Sequence, residues 1–221
     1  MNTYPLWQYA HILLFVYWLG ADLGVFFASR YVARADLPLE ERLRFLELLL
    51  KVDMGPRTAL ILMIPVGFTL TTTLGVAPFA AAWLPLIWVA SLAWLALAWY
   101  LFINARDPRS APWARLDLGI RLAIVVTFLA LGLLSLVRGA PLLTPWLAGK
   151  FVLFAGVVTL GLLLRRVIRD WVTGFAELRV AEQREAGNVR IYAAHRRAAR
   201  LAQLLWLGVA AIAFLGVVKP A

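Results

Sequence analysis

The chain has 221 residues, 63% of them hydrophobic, with no cysteine and a formal net charge of +10. The missing cysteines exclude disulfides, thiolate metal sites and thiol redox chemistry, and the apolar excess over the about 45–50% of soluble domains excludes an ordinary soluble fold. The positive charge reads as a topology signal and a contact to anionic membrane lipids, not as a nucleic-acid surface.

The apolar residues gather into six runs at about 6–29, 55–76, 80–104, 116–137, 144–166 and 200–218. Each has roughly the 20 residues needed to cross about 30 Å of hydrocarbon. Unbroken apolar runs of this length favour helices over barrel strands. The expectation is an all-α, polytopic membrane bundle of six transmembrane helices forming one integral domain over residues 1–221.

The first run, "HILLFVYWLGADLG", carries His11 and Asp22. They are three helical turns apart and so share a face. With no basic stretch before it and no small-residue cleavage pattern after it, this run is expected to be a retained span and not a signal peptide. Phe15, Tyr17 and Trp18 follow His11, and Gly20 and Gly24 form a GxxxG pattern that admits a close neighbour.

The next segment, about 37–51, reads as a cytoplasmic interfacial helix with Asp36 as N-cap. Leu39, Leu43, Leu46 and Leu50 form its apolar face. Spans two and four begin with "DMGPR" and "DLGIR". Asp53 with Arg57, and Asp117 with Arg121, are acid-first i,i+4 pairs, which suit a structural ion pair along a helix. A lone carboxylate in a membrane needs a partner, so Asp22 is expected to be buried and bonded to Arg57 or Arg121.

Pro65 and Pro85 are candidate helix breaks, and Trp83, Trp88, Trp94 and Trp99 of span three read as a lipid-facing stripe. The segments "GVAPF" and "RGAPLLTP" read as short hairpin loops. Span five opens "PWLAGKFVLF" and carries Lys150. It is expected to run on as a cytoplasmic helical extension over about 167–199, with a break at Gly187 and Asn188. His195 reads as a solvated surface histidine.

Seventeen of the 22 basic residues fall in loops one, three and five. The positive-inside rule puts those loops in the cytoplasm and both termini outside. Nineteen arginines against three lysines suggest a GC-rich bacterial genome, hence a bacterial inner membrane. This topology places His11 and Lys150 at similar depth in the outer half, with Asp22 about 16 Å deeper than His11.

For His11 the residues leave several readings open: a buried histidine bonded to a neighbouring helix, a haem ligand, a metal ligand or a proton carrier. One membrane histidine without cysteines is too few ligands for zinc or copper.

His11, Trp18 seven residues on, Gly20 and Arg30 resemble the first span of the HemJ-type protoporphyrinogen oxidases. They are also similar to copper-resistance D (CopD-like) membrane domains. Trp146 followed by Lys150 and an apolar run resembles the lysine-bearing span of the same superfamily. The resemblance implies haem b as cofactor, His11 as its iron ligand, and Trp18 and Trp146 beside it. It also implies a functional role for Lys150, to which Asp22 is added as a second candidate. The chain departs from the pattern at "DLGVFFASR", and Leu160 and Gly161 stand where a later histidine is expected. Three readings follow: a haem b-binding protein with electron-transfer or oxidoreductase character, a proton-coupled transporter built on an Asp/Arg network, or a non-catalytic accessory subunit. With one membrane histidine per chain, the iron is five-coordinate, has a non-histidine second ligand, or is shared in a homodimer.

Overall fold

The computed structural model describes residues 3–76, 79–138 and 143–220. Parts of the hairpin loops "GVAPF" and "RGAPLLTP" lie outside the described residues. The elements are α1 (Tyr4–Val32), α2 (Leu39–Val52), α3 (Met54–Thr73), α4 (Phe79–Ile103), α5 (Ala111–Arg138), α6 (Pro145–Glu177) and α7 (Arg184–Val218), with short 3-10 turns before α5 and α7. No strand occurs among the described residues. Among the described residues, six stretches are long and apolar enough to cross a membrane: α1, α2 continued by α3, and α4 to α7. The chain is a multi-pass helical membrane protein. Helices suit that setting because each backbone N–H and C=O is satisfied within its own segment.

The membrane helices close into a ring: α1 packs on α3, α3 on α4, α4 on α5, α5 on α6, α6 on α7, and α7 back on α1. Three apolar clusters fill it. The central one joins Trp18, Ile61, Trp94, Phe154, Val158, Leu205 and Val209. Leu143, Leu147, Ala148 and Phe151 form a second at the His11 end of the bundle. The third, at the opposite end, joins Val32, Leu49, Val167, Trp171, Phe175 and Ile191.

At 33 and 35 residues, α6 and α7 are each about 50 Å long at about 1.5 Å per residue. They outreach about 30 Å of hydrocarbon and form one long hairpin. The chain reverses over residues 178–183. Gly187 and Asn188 lie inside α7, so the break expected there is corrected. The reason is packing: Gly187 faces Gly174 across the hairpin. A Cβ on Gly187 would stand 2.8 Å from the Gly174 carbonyl oxygen, and one on Gly174 2.6 Å from Ile191 Cγ1. Small residues here let two helix backbones touch.

Other expectations are also revised. Asp36 does not cap α2, whose N-cap is Pro38; Asp36 instead accepts from Arg34 Nε at 3.1 Å. The α2 leucines pack into the cluster around Trp171 and Phe175. Helices α3 and α4 run unbroken through Pro65 and Pro85. A Cβ on Gly20 would meet nothing within 4 Å and one on Gly24 would stand 3.4 Å from Val52 Cγ1, an ordinary contact, so among the described residues no helix approaches closely at the GxxxG pattern. Of the α4 tryptophans, Trp83 and Trp99 are exposed. Trp88 and Trp94 turn inward and donate to Thr69 Oγ1 at 3.1 Å and Asp117 Oδ1 at 2.8 Å.

Candidate functional site

A cavity of about 460 Å³ opens at the His11 end of the bundle. Five helices supply its walls. Helix α1 brings His11, Phe15 and Trp18; α3 brings Met63, Gly67 and Phe68; α5 brings Phe128. Trp146, Lys150, Phe151 and Phe154 come from α6, and Val209, Ile212 and Gly216 from α7, with Lys219 just beyond its end. The volume falls within the range of small-molecule sites, about 300–1,000 Å³, and the walls are largely apolar and aromatic as such sites are.

The wall is ordered by ring contacts. Trp18 meets Phe154 edge-on at 6.4 Å between centroids, and Phe128 stacks on Phe151 at 4.5 Å. The polar groups are few. His11 Nδ1 is buried and has no hydrogen-bond partner. Its ring lies beside Gly67, whose hypothetical Cβ would stand 3.6 Å from His11 Cε1. The Lys150 and Lys219 ammonium groups both lie over the Trp146 ring.

The structure thus brings His11, Trp18, Trp146 and Lys150 to one cavity. Asp22 is not among its lining residues. Asp22 Oδ2 accepts from Trp206 Nε1 of α7 at 2.6 Å. Among the described residues it pairs with neither Arg57 nor Arg121, which corrects the expected partner. Those arginines are engaged by their own i,i+4 acids. Arg57 pairs with Asp53. Arg121 Nε donates to Asp117 Oδ2 at 3.1 Å.

Asp117 is almost fully buried and takes two partners that the local spacing does not announce, Arg165 of α6 and Trp94 of α4. The Arg121 guanidinium lies 5.2 Å from the Trp94 ring centroid. A carboxylate flanked by two guanidiniums and an indole N–H has its oxygens satisfied, which is what makes a buried ionic group tolerable.

His195 differs from its sequence reading as a solvated residue, and Arg42 has a role that the sequence did not single out. His195 is half-buried, and its Nδ1 lies 3.2 Å from Ser29 Oγ. Arg42 is only 3% exposed. Its Nε donates to the Val32 carbonyl at 3.0 Å and its Nη1 to Asn188 Oδ1 at 2.8 Å. It ties the end of α1 to α7. A second, more open hollow of about 530 Å³ lies near this end, lined by Arg30, Arg34, Tyr192 and His195.

No group of three or more His, Cys, Asp and Glu residues placed to hold a bare metal ion occurs among the described residues. No family model, curated protein or solved structure matches the chain.

Proposed function

We propose that this chain is a haem b-binding membrane protein of electron-transfer or oxidoreductase character, with His11 as the iron ligand. The observation that carries the reading is the convergence of His11, Trp18, Trp146 and Lys150 on one aromatic-walled cavity. A bare metal ion finds too few ligands here, whereas haem brings four nitrogen ligands of its own and asks the protein for one axial side chain. His11 Nδ1 is buried and without a hydrogen-bond partner among the described residues, so Nε2 would be the nitrogen to hold haem iron. The flat rings of Phe128 and Phe151 suit a planar macrocycle, and the two lysines suit its carboxylates.

When bound, haem b supplies one-electron redox chemistry tuned by its axial ligand and by the polarity around it. The chain's own residues do the rest. Packing beside Gly67 orients the His11 ring. The Trp18–Phe154 contact gives the cavity an apolar wall. Lys150 offers an ammonium proton from the second turn of α6. Asp22 lies outside the cavity and stabilises the α1–α7 contact through Trp206. The basic bias of loops one, three and five supports an orientation with both termini outside, in which the cavity would open in the outer half, and the excess of arginine over lysine supports a bacterial inner membrane.

The test is the spectrum of protein purified from haem-replete cells. A Soret band that shifts on dithionite reduction is expected, lost in His11→Ala and kept in His195→Ala. Wild-type protein without Soret absorbance, or His11→Ala with haem at full stoichiometry, overturns the reading.

A further inference from the structure

The mouth of the cavity holds two cations and, among the described residues, no counter-charge. Lys150 Nζ lies 5.8 Å and Lys219 Nζ 5.9 Å from the centroid of the same ring, Trp146. Neither ammonium has a carboxylate partner among the described residues. Like charges repel, and a cation in an apolar setting calls for a partner. The indole face offsets part of that cost.

The backbone is shaped to keep this arrangement. Lys219 ends α7 in the left-handed region, φ 47 and ψ 57, with its N–H donating to the Leu215 carbonyl at 3.1 Å. An L side chain other than Gly, Asn or Asp adopts that region seldom and under strain. Gly216, three residues earlier, leaves the space that Lys150 uses: a Cβ there would stand 2.7 Å from Lys150 Nζ. A strained cap on one helix and a bare glycine beside the other cation therefore serve the same few ångströms. Behind them the cavity is apolar and aromatic.

We infer that Lys150 and Lys219, set over Trp146, form an anion clamp that takes the carboxylate end of an apolar ligand whose body fills the cavity. The inference rests on the ligand-binding cavity of the proposed function, but not on iron ligation. It adds Lys219 as a residue that selects acids over their neutral counterparts. A porphyrin carboxylate and a fatty-acid carboxylate present the same chemistry to the clamp.

The experiment uses the purified full chain in neutral detergent. Binding is read by Soret titration for haem b against its dimethyl ester, and by native mass spectrometry for oleate against oleyl alcohol. In at least one pair the acid is expected to bind about fivefold tighter or more, the scale of a partly solvated charge contact. Lys219→Asn keeps a residue that tolerates the left-handed cap and removes the charge; it and Lys150→Gln should abolish the preference, and Lys219→Arg should restore it. Equal binding of acid and neutral members in both pairs, a preference that persists in both lysine variants, or no binding in either pair overturns the clamp. Oleate preferred while haem b fails to bind removes the haem reading and leaves the clamp. Haem b held through His11 with its ester bound equally tightly, and oleate bound no tighter than oleyl alcohol, removes the clamp and leaves the haem reading.

Discussion

Trp206 donates its indole N–H to Asp22 at 2.6 Å across the contact between α7 and α1. The carboxylate lies between helices with an uncharged donor as its partner. An amide oxygen accepts that bond nearly as well as a carboxylate does. Asp22→Asn is therefore expected to change stability by less than about 1 kcal/mol, whereas Trp206→Phe leaves the acid unbonded and costs about 1–3 kcal/mol. Thermal unfolding of the two variants in the same detergent checks the order. A larger loss in Asp22→Asn would point to an ionic role.

Asp117 behaves differently because its neighbours are charged. Asp117→Ala strands Arg121, which is 7% exposed, and is expected to destabilise by about 3–5 kcal/mol. Arg165 has 34% of its side chain exposed, so Arg165→Gln should cost about 1 kcal/mol or less. Equal losses in the two variants, measured by thermal unfolding, would refute this ranking.

The two glycine settings also separate. Gly187→Ala forces α6 and α7 apart and should cost about 1–3 kcal/mol. Gly20→Ala adds a methyl to open space and should raise stability by about 0.5–1 kcal/mol through helix propensity. Melting temperatures that move together would contradict the close contact at Gly174.

Gly67 gives a test of the cavity that spares its polar groups. Gly67→Ala places a methyl 3.6 Å from His11 Cε1, an ordinary contact, and should leave haem uptake intact. Gly67→Leu fills the space beside the ring and should reduce uptake at least about tenfold, because a packed wall yields little to added volume. Soret titration of both variants reads the difference.

Much of the architecture was legible in advance because bilayer thickness imposes run length and i,i+4 spacing imposes local pairing. Asp53–Arg57 and Asp117–Arg121 are local in this sense. The partners that complete the buried polar groups are not: Trp94 and Arg165 lie 23 and 48 residues from Asp117, and Trp206 lies 184 from Asp22. Only the ring closure of α7 on α1 brings the last pair together. Arg42 counted only among the basic residues of loop one, since nothing local tells that the end of α1 needs its donor. The common depth of His11 and Lys150 could be read from the order of spans. Lys219 could not, since it sits past the last apolar run, and its one local signal is Pro220, a residue type common just after a helix cap.

The α6–α7 hairpin is joined by covalent chain at its turn, where Gly174 and Gly187 touch, and its two free ends are the start of α6 and the end of α7. Lys150 and Lys219 stand at those free ends. Val217 and Val218 at the end of α7 are exposed whereas Leu147 and Ala148 at the start of α6 are buried, and local opening favours thinly held ends, so the hairpin should loosen from the end of α7. An occupant gripped by both lysines would act as a removable clasp there. Ligand loss would then show itself first as faster amide exchange in the closing turns of α7, well before the far end of the hairpin loosens.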